Sequence, residues 1–127
     1  MSRPETHDLN DRTFNFSRRI IHLFAALPNK PLHQTLGRQV LRSGTSVGAN
    51  YREAFRARSR QEFRAKIGDC LKEIEETSYW LQLLESEELI KPTRLRHLLQ
   101  ETKELIAIFV TIRNRTKTGE PASVIHS

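Results

Sequence analysis

Arg42-Ser43-Gly44-Thr45-Ser46-Val47-Gly48-Ala49-Asn50-Tyr51-Arg52-Glu53-Ala54 sets small residues and two glycines inside what otherwise reads as one long helix. A glycine in a helix interior costs roughly 0.5–1 kcal/mol relative to alanine, so close packing or binding must offset it. At about 100° per residue, Leu36, Val40, Val47, Tyr51 and Ala54 share one face, the expected core. Gly44 and Gly48, four apart, lie beside that face, where a missing Cβ suits the close approach of another helix. A phosphate-cradling loop fits less well, because no strand precedes the segment and the Walker-type lysine is absent. Arg38, Arg42, Arg52 and Arg56 occupy a narrow arc on the opposite side, with small Thr45 and Ala49 between them.

Punctuation on either side divides the chain into four helices. Asn10 and Asp11 are candidate caps for a first helix over about 12–27, whose Phe16, Ile20, Leu23 and Leu27 keep helical spacing up to Pro28. Pro31 suits the first turn of a second helix, 31–58, where its missing N–H costs nothing. Ser59-Arg60-Gln61-Glu62 is a capping-box pattern that opens a third helix, 60–86, with Phe63, Ile67, Cys70, Ile74 and Leu81 inward. Pro92 opens a fourth, 92–115, with Leu95, Leu98, Leu99, Thr102, Leu105, Ile106 and Phe109 inward. Residues 116–127, with Gly119 and Pro121, read as a disordered tail. Long amphipathic helices joined by short connections make antiparallel neighbours. The expected fold is therefore all-α, an up-down-up-down four-helix bundle forming a single domain over 1–115.

With 127 residues the chain can bury one core but not two. Its longest apolar stretch, Leu105 to Ile112 around Thr111, is far short of the ~20 residues a membrane span needs. The polar start Met1-Ser2-Arg3-Pro4-Glu5 lacks the apolar run of a signal peptide, so a cytoplasmic location away from membranes is expected. A net charge of +6 makes polyanions plausible partners. That charge is unevenly placed. Between residues 38 and 66 eight basic residues, the four arginines above with Arg58, Arg60, Arg64 and Lys66, face only Glu53 and Glu62. Between 69 and 88, Lys72 is outnumbered by Asp69, Glu73, Glu75, Glu76, Glu85, Glu87 and Glu88.

Chemistry finds little support in the sequence. The five histidines have neither i,i+4 histidine partners nor a Glu-x-x-His pattern, so the di-iron bundle arrangement is absent, and no metal or cofactor is expected. Cys70, the sole cysteine, falls on the apolar stripe and reads as core rather than nucleophile. Ser43, Thr45 and Ser46 lack a local base. No enzyme is expected. Tyr79, Trp80 and Leu83 on the third helix, with Ile108 and Ile112 on the fourth, fall away from the centres of their inward stripes. They are the candidate interface of a homo-oligomer.

Two stretches, Ser46-Val47-Gly48-Ala49-Asn50 continuing to Glu53-Ala54, and Glu75-Glu76-Thr77 with Tyr79-Trp80-Leu81, carry a resemblance. Over residues 12–115 the chain resembles the bacterial four-helix bundle family of 23S rRNA intervening-sequence proteins, some encoded within ribosomal RNA gene insertions. The accessory proteins of diversity-generating retroelements look similar. The resemblance implies an antiparallel protomer, assembly into a homopentamer, and a role in binding nucleic acid or a nucleic-acid-processing protein. It implies no catalysis. Ser46, Gly48, Asn50 and Glu53 match its recurrent small and polar positions, and on the wheel Asn50 and Glu53 flank the core, where hydrogen bonding within the fold suits them.

Two functional readings stand at this point. In one, a homo-oligomer binds the phosphates of RNA or DNA through Arg38, Arg42, Arg52 and Arg56, assisted by Arg58, Arg60 and Arg64. In the other, the protein is an interaction scaffold whose basic face meets an acidic face of a neighbouring subunit or of a partner protein.

Overall fold

The computed structural model describes residues 9–117. They form four helices, α1 (Leu9–Ala25), α2 (Pro31–Phe55), α3 (Arg60–Ser86) and α4 (Pro92–Lys117). No strand occurs among the described residues. The fold is the all-α four-helix bundle that the apolar periodicity predicts.

The α1/α2 seam is built on missing side chains. A Cβ at Gly44 would come within 2.8 Å of Ile20, and one at Gly48 within 3.3 Å of the Thr13 carbonyl oxygen. Gly37 belongs to the same seam, since a Cβ there would collide with Leu27 and crowd Phe24. Rising numbers on α2 meet falling numbers on α1, so the two helices run antiparallel. The α2/α3 seam is also antiparallel and pairs small polar groups. Thr77 Oγ1 donates to Ser43 Oγ at 2.8 Å, and the Cys70 thiol donates to the Val47 carbonyl at 3.7 Å. α4 closes the bundle, with the Phe109 ring 6.2 Å from that of Tyr51. On its other side, Glu101 accepts from Arg12 Nε and Nη2 at 2.8 and 2.9 Å. This two-pronged pair, with Glu104 2.6 Å from the same guanidinium, ties α1 to α4 and raises the Arg12 pKa.

The core contains Phe16, Ile20, Val40, Val47, Tyr51, Ala54, Phe63, Ile67, Cys70, Ile74, Leu81, Leu95, Leu105 and Phe109. Leu36, Leu99 and Ile106, expected inward, are half-buried at its margin.

Four boundaries differ from the sequence reading. Asn10 and Asp11 lie inside α1, which ends at Ala25 rather than Leu27 as its last turn tightens, with Leu27 N–H donating to Phe24 O. α2 stops at Phe55 instead of Arg58. Ser59 must be extended (φ −147°, ψ 159°) for its hydroxyl to accept from Glu62 N–H, so the chain leaves the helix before it. Glu62 also accepts from the Arg58 N–H at 3.0 Å. Thr116 and Lys117 are helical, and the rest of the expected tail lies outside the described residues.

α3 ends in a Schellman arrangement. Leu89 N–H donates to Leu84 O and Glu88 N–H to Glu85 O, both at 3.0 Å, with Glu88 in the left-handed region at φ 55°. A β-carbon costs about 1–2 kcal/mol there, so Glu88→Gly is expected to raise stability by about 1 kcal/mol, read as a higher denaturant midpoint at unchanged m.

Candidate functional site

The arginine arc on α2 divides between its two neighbouring helices. Arg42 turns toward α3, where its guanidinium pairs with Glu76 and lies 3.6 Å from Glu73. Arg52 turns toward α1 and lies over the Phe14 ring, 5.7 Å from its centroid. Arg38 and Arg56 project between them, exposed, and the α2/α3 turn and the start of α3 add exposed Arg58, Arg60 and Arg64. Among the described residues no carboxylate is in ion-pair contact with Arg38, Arg52, Arg56, Arg58, Arg60 or Arg64. Five of these six lie in the last turn of α2, the turn, or the first two turns of α3. These five are therefore gathered at one end of the bundle. There Arg64 and Arg113 also flank a depression of about 340 Å³ lined by Gln61, Ala65 and Gly68.

The acidic residues have structural work to do. Glu76 accepts from Trp80 Nε1 at 3.0 Å as well as pairing with Arg42. Together with Ser43–Thr77, this fastens the Glu75–Leu81 stretch to the part of α2 just before Ser46. The Trp80 hydrogen bond, then the Arg42 pair, hold the Glu76 carboxyl below the usual glutamate range. A carboxylate so depressed adds stability above its unfolded pKa of about 4.3, and that contribution is lost as pH falls through the lower folded value. The melting temperature is thus expected to drop on acidification below about pH 5, and to drop less steeply in Glu76→Gln.

The small polar residues of α2 turn inward on their own helix. Ser43, Thr45 and Ser46 donate to the carbonyls of Gln39, Leu41 and Arg42 at 2.9, 2.7 and 2.7 Å. Asn50 Nδ2 donates to Ser46 O at 3.0 Å, and Glu53 pairs with Lys66 of α3 at 2.5 Å. These interactions lie within the fold: Ser46 and Asn50 are satisfied along α2 itself, Glu53 ties α2 to α3, and Gly48 admits α1. Burial pushes the Cys70 thiol well above its ordinary pKa, leaving a protonated, poorly nucleophilic sulfur. A depression of about 690 Å³ between α3 and α4 is lined by mixed charges and amides. Its Ser78 hydroxyl accepts from Gln82 at 2.9 Å. Among the described residues no group of three or more His, Cys, Asp or Glu is placed to hold a metal ion. No helix among them is long and apolar enough to cross a membrane.

The candidate interface residues part company. Tyr79 is 56% exposed and meets Trp80 edge-on at 5.1 Å, while Trp80 is half-buried against the core. Leu83 and Ile108 are half-buried too. Ile112 is corrected outright: at 1% exposure it belongs to the core and cannot meet a second subunit. Leu105, Phe109, Ile112 and Thr116 continue the inward α4 stripe, whereas counting Leu99 and Ile106 as inward rotates its apparent centre away from Ile112. Phe14 and Ile21 on α1, with Leu32 and Phe55 on α2, are exposed large apolar residues that sequence reasoning missed. For Phe14 and Ile21 the signal was available, as both sit opposite the Phe16/Ile20/Leu23 stripe.

Comparison with known proteins places these features in a lineage. The family model described as 23S rRNA-intervening sequence protein matches residues 5–111. Among solved structures, one similar chain is a protein of unknown function from the S23 ribosomal protein family of Bacteroides thetaiotaomicron. It superposes with a TM-score of 0.77 at 38% identity, covering 82% of this chain and 96% of that one. No curated protein matches.

Proposed function

From its place in the 23S rRNA-intervening sequence protein family, to which the chain belongs, and from its surface charge, we propose a non-enzymatic, homo-oligomeric protein that binds nucleic acid. The assembly in this reading is a pentamer, as the resemblance implies, and it works in the cytoplasm, alone or with a nucleic-acid-processing protein. One observation carries the reading: six of the seven candidate arginines are exposed and, among the described residues, without a carboxylate in ion-pair contact, and five of those six are gathered at the α2/α3 end of the bundle. Guanidinium groups hydrogen-bond phosphate in pairs, and several together hold a backbone without reading its bases. Arg42 drops to a supporting role, because Glu73 and Glu76 already occupy it. The same pairing takes Glu73 and Glu76 out of the acidic face, leaving Asp69, Glu75, Glu85, Glu87 and Glu88 exposed for the scaffold reading.

Charge reversal at Arg52 and Arg56 separates the two readings. Binding of labelled RNA and DNA is measured at low salt together with the light-scattering mass. The nucleic-acid reading expects Arg52→Glu/Arg56→Glu to keep its mass and lose binding. A changed mass with nucleic-acid affinity intact would instead establish the scaffold.

A further inference from the structure

Two of the exposed aromatic rings stand among the unneutralised arginines. Phe14 is 53% exposed with the Arg52 guanidinium over it, and Phe55, 48% exposed, lies one helical turn beyond Arg52 and next to Arg56. Arg18, exposed and one turn along α1 from Phe14, extends the basic surroundings. Tyr79 is exposed to a similar degree but sits on the acid-rich stretch of α3, where phosphate would be repelled. Charge therefore distinguishes the rings.

We infer that Phe14, Arg52 and Phe55 form a stacking platform for unpaired bases, so that the arginine end of the bundle takes single-stranded nucleic acid in preference to duplex. The inference rests on the nucleic-acid reading above and adds a ligand class to it. In a duplex the base faces are covered by their neighbours, and only edges and phosphates reach a protein. In a single strand each base can leave the stack and lie on a ring or a guanidinium plane, while adjoining arginines hold the flanking phosphates. An exposed phenylalanine loses unfavourable contact with water when a base covers it. A guanidinium already lying over the ring gives the base a second planar group to meet.

Fluorescence anisotropy with the full-length protein tests this, using an oligouridine RNA of about 20 nucleotides and an RNA duplex of the same length, long enough for a site of ~4–16 nucleotides. Phe14→Ala is expected to weaken single-strand binding by about 5- to 150-fold, the equivalent of stacking one base, and to leave duplex binding within about twofold. Phe14→Trp is expected to retain single-strand affinity, and Phe55→Ala to mirror Phe14→Ala. Light scattering and helical circular dichroism accompany each variant. Unchanged single-strand affinity in Phe14→Ala overturns the platform and leaves the arginine reading intact. A changed oligomer mass overturns it in favour of a contact between copies of the chain. Absence of wild-type binding to either RNA and to duplex DNA at low salt overturns the nucleic-acid reading itself.

Discussion

Gly44→Leu is expected to cost about 3 kcal/mol net and to lower the melting temperature by roughly 10 °C. A Cβ alone would already stand 2.8 Å from Ile20 Cγ1 and 3.0 Å from Cγ2. These atoms sit next to the branch point of a buried side chain, so they cannot swing clear as the end of a long chain would. The two helices must separate or Ile20 must leave its rotamer. Better helix propensity returns only about 0.8 kcal/mol of the loss. Gly68 provides the control with the opposite sign. A Cβ there meets nothing within 4 Å, so Gly68→Ala is expected to stabilise by about 0.5–1 kcal/mol. If both substitutions shift stability equally, the glycines of α2 are not the spacing elements of the α1/α2 seam. Thermal melts followed by circular dichroism decide the matter.

The second large effect concerns affinity. Replacing Arg56, Arg58, Arg60 and Arg64 together by alanine is expected to reduce nucleic-acid binding at low salt by at least about 100-fold, and to flatten its salt dependence by about 3 log units per log unit of salt. All four are exposed and make no ion pair among the described residues, so their loss leaves the fold intact. Arg42→Ala is expected to behave differently. It removes the partner of Glu73 and Glu76 at the α2/α3 seam, so its main consequence is lower stability with affinity little changed. Binding isotherms alongside denaturant melts for the two variants give a clear contrast. Equal losses of affinity would show that the arc acts as one surface, as the helical wheel alone would have it.

This division marks where sequence reasoning stopped. Proline positions, the Ser59 capping box and apolar spacing located all four helices, because each acts through neighbours a few residues away. The core followed from the same periodicity. Gly37, seven residues before Gly44 on the same face, was passed over and acquired a reason only from its contact with α1. Ile112 shows a different limit. A wheel yields an arc of inward residues but not its centre, and including marginal Leu99 and Ile106 shifted that centre far enough to misplace Ile112. The fate of each arginine could not be read at all. Whether a cation on α2 meets a carboxylate depends on the axial register between α2 and α3, which seats Ser43 opposite Thr77 and so brings Arg42 to Glu76 while leaving Arg56 unpaired. One residue of slip would have redistributed the free charge.

The salt dependence of binding tests the central claim most directly. For the wild-type protein on single-stranded RNA, with about five phosphates held, the slope of log K against log salt is expected near −3.5, about −0.7 for each phosphate contacted. A slope near zero, or no detectable binding at low salt, would contradict the assignment of these arginines to phosphate.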